Sequence, residues 1–279
     1  MTAPAVFELI DISYAYHGRI VALHDVDLTI QAGEALVVLG PNGSGKSTLL
    51  KVLDGLYRPS SGRLLAFGRD VTRAADDPEL GYWLHRRVGL VFQEPDVQLF
   101  SPTVFDDVAF GPLQLGWPAE RVREAVQRVL EELDLAHLAD RAPFELSGGE
   151  KKRVALATVL VMEPEVILLD EPTANLDPRS RAHLIDLLAT LHQRGHTLVI
   201  ATHELDLAAL LATRVVVFGE REHRPVAEGT PDEILTDHEL LLATNLVHDH
   251  PHRHGPIVHS HPHWHDAEHQ HDHGTEHET

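Results

Sequence analysis

Short apolar runs recur along the chain with almost no polar interruption: ALVVLG at 35–40, VGLVF at 88–92, VILLD at 166–170, TLVIAT at 197–202 and RVVVF at 214–218. A strand with one wet face alternates apolar and polar residues. These runs do not, so they predict strands covered on both faces, as in a parallel sheet. Between them the period changes. In AERVREAVQRVLEELDL, Val122, Val126, Val129 and Leu133 recur at helical spacing, with charges on the opposite face. GTPDEIL reads as a helix start, with Thr230 as N-cap, Pro231 in the first turn and Glu233 closing a capping box. Strands alternating with helices predict an α/β fold. The pattern stops at Val247. Residues 248–279 hold 12 of the 22 histidines, three prolines and six acidic residues, and very few aliphatics. Such a segment buries too little apolar surface to offset its ordering entropy, and disorder is expected there. The expected organisation is one domain over 1–247 and a tail over 248–279.

Composition narrows the function. The formal net charge is −20 with histidine neutral. A surface that acidic repels phosphate backbones, so nucleic acid is not expected as a partner. With no cysteine in the chain there is no disulfide and no thiolate metal site. MTAPAVFELIDISYAYHG lacks a basic region followed by a long apolar run, so no secretory signal is expected. No stretch approaches the length of uninterrupted apolar residues that a membrane span needs. If the protein serves a membrane process, another chain must supply the membrane part.

Two motifs carry nucleotide chemistry. GPNGSGKST at 40–48 follows a predicted strand and precedes the helical LLKVLDGL. It is a phosphate-binding loop in its strand–loop–helix context. Gly40, Pro41, Asn42, Gly43, Ser44, Gly45, Lys46, Ser47 and Thr48 are therefore the candidate ATP-binding residues. The glycines let backbone N–H groups turn toward phosphate oxygens, and the helix start adds its dipole. Lys46 is expected to reach the β- and γ-phosphates, and Ser47 to ligate Mg²⁺. VILLDEP at 166–172 carries Asp170 to a strand end, where open α/β sheets place ligands. Asp170 is the expected Mg²⁺-side carboxylate. Glu171 beside it is placed to act as general base toward water.

ELSGGEKKRVALA at 145–157 contains LSGGE, the signature of the ATP-binding-cassette ATPases, with Glu150 where many relatives have Gln. Over roughly residues 5–235 the chain resembles that family. Further elements match in order: Gln93 in VFQEP as the glutamine loop, Asp177 in ANLDP as the dimer loop, and His203 in ATHE as the switch histidine. Tyr16, with Tyr14 as its neighbour, stands where the family has an aromatic that stacks on adenine. The resemblance implies a P-loop NTPase (RecA-like) core, an antiparallel β subdomain and an inserted α-helical subdomain at about 95–162. It implies Glu171, His203 and Gln93 as catalytic residues, and Mg²⁺ held through Ser47, Gln93 and Asp170. It also implies two subunits head to tail, with Ser147, Gly148, Gly149 and Glu150 of one acting on ATP held by the other. A homodimer is expected, since both half-sites are intact in one chain.

FQEPDVQLFSPTVFDDVAFGP at 92–112 closely resembles ATPases of energy-coupling-factor importers, including the cobalt and nickel group. That resemblance implies an ATPase at the cytoplasmic face of the membrane, working with a transmembrane coupling subunit and a substrate-binding membrane subunit. A vitamin or zinc importer of the same branch is an alternative; so, from other classes, are a soluble ATPase outside transport and a metal buffer. In the tail, His259, His261, His263, His265, His269, His271 and His273 fall at mostly alternating positions. Imidazoles on a flexible chain suit Ni²⁺, Co²⁺, Cu²⁺ or Zn²⁺, and affinity order alone does not select Ni²⁺ or Co²⁺ over the other two.

Overall fold

The structure, a computed structural model, describes residues 3–254 and 257–263. The chain begins with two long strands, β1 (Ala5–Tyr16) and β2 (Ile20–Gln31), then enters the first buried strand, β3 (Ala35–Leu39), and helix α1 (Lys46–Leu53). Next come β4 (Ser61–Ala66), β5 (Arg69–Asp70), α2 (Pro78–His85) and β6 (Val88–Val91). A helical stretch follows: α3 (Val104–Gln114), α4 (Ala119–Glu132) and α5 (Gly148–Leu160). The chain then returns to alternation through β7 (Val166–Asp170), α6 (Pro178–Gln193), β8 (Thr197–Thr202), α7 (Leu205–Leu211) and β9 (Arg214–Phe218). It closes with β10 (Pro225–Gly229), α8 (Pro231–Thr236), α9 (His238–Ala243), β11 (His248–His254) and β12 (Ile257–His263).

Six strands form the central sheet in the order β10-β9-β3-β8-β7-β6. All neighbours are parallel except β10, which runs antiparallel to β9. The absence of polar alternation has its reason here, because both faces are covered. Val37 and Leu39 of β3, Ile167 and Leu169 of β7, and Leu198 and Ile200 of β8 join the core on the side of α3 to α7. Leu36 and Val38, Val166 and Leu168, and Val199 and Ala201 join the core on the other side, with α1 and the strands β1, β2 and β4. Each Val, Leu or Ile side chain so buried contributes about 1.5–3 kcal/mol. The antiparallel sheet has the order β2-β1-β4-β5. The fold is thus the P-loop NTPase core with its antiparallel β layer and helical insertion.

Local chemistry sets the element ends. α4 buries Val122, Ala125, Val126, Val129 and Leu130, and Leu133 caps it in the same core. Thr230 and Glu233 form a reciprocal capping box at the start of α8. Leu246 and Val247 are the last buried apolar residues among the described side chains. Beyond them β11 and β12 pair in an antiparallel ribbon, with His248 opposite His263, His250 opposite His261 and His252 opposite His259. The ribbon pairs with neither sheet, and a lone two-stranded hairpin is marginal in water. Residues 264–279, where disorder was also expected, lie outside the described residues.

Candidate nucleotide-binding site

β3, β8, β7 and β6 are neighbours, and their C-terminal ends each deliver a piece of the site. From β3 the chain turns through residues 40–45 into α1. Gly43 and Gly45 have φ of 86° and 105°, which turns backbone N–H groups inward at little cost only for glycine. At Gly45 an added Cβ would lie 2.1 Å from the Ala22 carbonyl oxygen. Gly45→Ala is therefore expected to lose at least ~2 kcal/mol. Thermal unfolding would show this as a fall of roughly 4–8 °C for a chain of this size, and an unchanged melting temperature would mean that the loop has room to give.

Lys46 is buried, and its Nζ donates to the carbonyls of Gly40 (2.7 Å) and Pro41 (3.1 Å). It lies 3.8 Å from Glu171 Oε1. Burial pulls this ammonium below the usual lysine range, and Glu171 and Asp170 oppose the pull. Ser47 Oγ donates to Asp170 Oδ1 at 2.8 Å. Burial raises the Asp170 carboxyl, the Ser47 hydrogen bond works against it, and the net shift is upward. The buried Ser44 Oγ has no hydrogen-bond partner. A loop with an unused hydroxyl, inward amides and one cation fits a bound phosphate. The two oxygens of Ser47 and Asp170 fit a hard cation such as Mg²⁺ that takes its other ligands from phosphate and water.

Glu171 follows β7 with φ of 42°. For a residue with a Cβ this is a strained backbone, of the kind that clusters at functional positions. Its N–H donates to the Ala201 carbonyl at 2.9 Å, which holds the turn against β8. Its Oε1 lies 3.0 Å from His203 Nδ1, and its Oε2 accepts from Thr202 Oγ1 at 2.9 Å. Burial pushes the Glu171 carboxyl up, but the hydrogen bond and charge of His203, the charge of Lys46 and the Thr202 hydroxyl outweigh burial, and the carboxyl lies below the ordinary glutamate value. The hydrogen bond to Glu171 raises His203 in turn, against burial. The carboxylate is therefore ionised and aimed.

A cleft of about 440 Å³ opens over this group, lined by Tyr16, the phosphate loop, Gln93 and Glu171. Tyr16 presents its hydroxyl within 3.0 Å of Thr48 Oγ1. Tyr14 instead stacks on Tyr57, with centroids 5.0 Å apart and planes 4° apart, and does not line the cleft. Neither do Ser147, Gly148, Gly149, Glu150 or Asp177. Ser147 caps α5, its hydroxyl and N–H both donating to Glu150 Oε2 at 2.7 and 2.8 Å. Those bonds hold the Glu150 carboxyl below the ordinary value. Asp177 caps α6 through the N–H groups of Arg179 and Ser180. The structure thus gathers the phosphate loop, Asp170, Glu171, His203, Gln93 and Tyr16, and leaves the signature residues and Asp177 outside the cleft.

Three features escaped sequence reasoning. Thr202 holds the second oxygen of Glu171. Arg181 of α6 grips Glu204 through two nitrogens at 3.1 and 2.8 Å, and Glu204 accepts from Thr173 at 2.7 Å. Lys152 of α5 is buried, and its Nζ bonds the carbonyls of Gln93 and Glu171. One signal for it existed: Lys152 falls in helical register with the apolar Leu156 and Val159. Among the described residues, no group of three or more His, Asp or Glu side chains is arranged to hold a metal ion. His259, His261 and His263 lie on β12, while His265, His269, His271 and His273 fall outside the described residues.

The sequence model of the ABC transporter family matches residues 23–174. The chain is 49% identical over 245 residues to the nickel import ATP-binding protein NikO of Rhodobacter capsulatus, covering 86% of this chain and 95% of that one. It is 48% identical over 230 residues to the cobalt import ATP-binding protein CbiO of the same organism, covering 82% and 80%. The solved structure of cbiO1 from Clostridium perfringens, part of the ABC transporter complex cbiONQ, superposes with a TM-score of 0.74 at 37% identity, over 87% of this chain and 95% of that one.

Proposed function

We propose that this chain, which belongs to the ABC transporter family and acts as an ATPase, powers the import of cobalt or nickel ions through separate membrane subunits. The observation that carries this is the near-equal likeness, over most of the chain, to one nickel and one cobalt import subunit. The histidine-rich tail supports a metal cargo independently, through its ligand chemistry.

The site supports the following roles. The phosphate loop and Lys46 hold the triphosphate. Ser47 and Asp170, with Gln93 at the rim, would hold Mg²⁺, which would neutralise charge on the phosphates. Tyr16 stacks on adenine. Glu171 takes the proton from the attacking water, and His203 and Thr202 hold its two oxygens in place. The signature residues lie outside their own cleft, so a second copy, head to tail, brings Ser147 and the glycine amides to the γ-phosphate. ATP then closes a homodimer and hydrolysis releases it.

No helix among the described residues is long and apolar enough to cross a membrane. A groove of about 400 Å³ beside the glutamine loop is lined by Leu56, Phe92, Phe100, Phe110 and Met162. Phe100 is 65% exposed and Phe110 44%. Large exposed aromatics in a groove suit an amphipathic helix of a membrane partner. The groove supports a peripheral seat for this chain on its membrane partner, at the cytoplasmic face in the reading proposed here.

Uptake of labelled Ni²⁺, Co²⁺, Zn²⁺ and vitamins, with and without this subunit, tests the assignment. Loss confined to Ni²⁺ or Co²⁺ is expected, and a loss confined to zinc or a vitamin would move the cargo. The tail gives a separate prediction. Cutting after Val247 leaves in place every core residue among the described side chains, so the ATPase is expected to stay folded and active. The full-length chain is expected to bind several Ni²⁺ or Co²⁺ at neutral pH and release them near pH 5, because free imidazole titrates at about 6.5. Calorimetry on both forms decides it: equal metal stoichiometry would remove the tail as a ligand.

A further inference from the structure

Lys152 is a cation for which the nucleotide chemistry above has no use. It stands on α5, the helix capped by Ser147, and is only 6% exposed. Its Nζ donates to the Gln93 carbonyl at 2.6 Å and to the Glu171 carbonyl at 3.1 Å. No carboxylate lies within ion-pair distance of it among the described residues. Burying an ammonium is costly, and its hydrogen bonds are what make the position tenable. Its pKa is pulled down by burial, with Glu94, Asp170 and Glu171 opposing.

The two carbonyls belong to different strands. Gln93 follows the end of β6, and Glu171 follows the end of β7. The segment around Gln93 is fastened to α5 at further points. Gln98 accepts from the Phe92 N–H at 3.2 Å and donates to the Ala155 carbonyl and the Thr158 hydroxyl at 3.0 and 2.7 Å. Lys151 Nζ pairs with Asp96 at 2.7 Å. Residues 92–98 and α5 are therefore tied as one body, beside the aromatic groove. Lys152 extends that tie to Glu171, whose backbone is held at φ of 42°. A pull on that carbonyl acts on a residue that has an alternative, less strained backbone basin.

We propose that Lys152 is a positioning residue that fixes the Glu171 backbone from the glutamine loop and the signature helix, so that the carboxylate is aimed at the attacking water only when those two elements are in place. This rests on the role proposed above for Glu171. Among the described residues Lys152 bonds two carbonyls and neither the phosphate loop nor Tyr16, so ATP affinity is expected to change little on its loss.

The test uses the purified full-length chain and its ATP turnover, with no membrane partner needed. Lys152→Met keeps the length of the stem and removes both bonds. Its kcat is expected to fall roughly 10- to 100-fold, the scale of a catalytic group displaced by about 1 Å, while KM for ATP stays within about threefold of the parent. Lys152→Arg, which retains a cationic donor, is expected to recover at least about a third of the parent kcat. If Lys152→Met melts below the assay temperature, Lys152→Gln replaces it; its amide is uncharged and its stem is one bond shorter, and a fall in kcat in the same direction with KM for ATP unchanged is expected. A kcat for Lys152→Met within twofold of the parent, a rise in KM with kcat unchanged, or no recovery in a folded Lys152→Arg would each overturn the proposal. Glu171→Gln run in parallel separates the two levels. Normal turnover in Glu171→Gln removes the role on which the proposal stands. A slow Glu171→Gln beside a normal Lys152→Met removes the proposal and leaves that role intact.

Discussion

Glu171→Gln is expected to bind ATP within about threefold of the parent affinity and to hydrolyse it at least roughly a hundredfold more slowly, the usual worth of a positioned general base. The substitution preserves shape and can still accept from Thr202 Oγ1, which lies 2.9 Å from Oε2. It removes the only property that the water needs, a carboxylate with a proton site free. The carboxyl in this chain is held ionised by His203, Lys46 and Thr202 against its own burial, so the parent has its base ready at neutral pH. The phosphate loop is untouched, and ATP is therefore expected to accumulate bound and uncleaved. Calorimetric ATP binding together with steady-state turnover measures both halves. Parent-like turnover in the purified variant would show that another group takes the proton.

Lys46→Ala is expected to do the reverse and strike binding itself. The Lys46 ammonium is the cation of the phosphate loop, and it sits within 3.1 Å of two loop carbonyls. Charge-assisted hydrogen bonds contribute about 1.5–3 kcal/mol each, so the ATP dissociation constant should rise roughly 10- to 150-fold. Turnover at ordinary ATP concentrations falls with it. Fold stability should change far less, because burial already opposes this ammonium and pulls its pKa down. An ATP affinity equal to that of the parent, with folding confirmed by thermal unfolding, would take the triphosphate out of Lys46's reach.

The two ends of the chain show where pattern alone runs out. β1 and β2 are the longest strands in the structure, 12 residues each, yet they were not legible as strands. Their period-2 alternation is broken by irregular register between Leu9 and Ile12, and again near Tyr14. Asp11 and Asp25 sit at φ of 52° and 45° there, and each such residue flips the faces of those that follow. In the tail, the alternation of histidine was legible, but a paired ribbon was not, because composition does not fix cross-strand pairing.

The sequence by itself determined the elements whose causes are local. Continuous Val, Leu and Ile runs can lie only where both faces are covered. GPNGSGKST can make its inward-facing turn because glycine alone tolerates the φ values of Gly43 and Gly45. Thr230 and Glu233 cap a helix across three residues. Tertiary structure alone decided the rest, because hydrogen bonds between side chains distant in sequence leave no periodic trace. Tyr16 rather than Tyr14 reaches the cleft because Tyr14 is taken by Tyr57. Glu171 is aimed by Thr202 and His203 from the next strand of the sheet. Lys152, a charged residue on an otherwise apolar helix face, becomes a tie between two strand ends only once α5 packs across them.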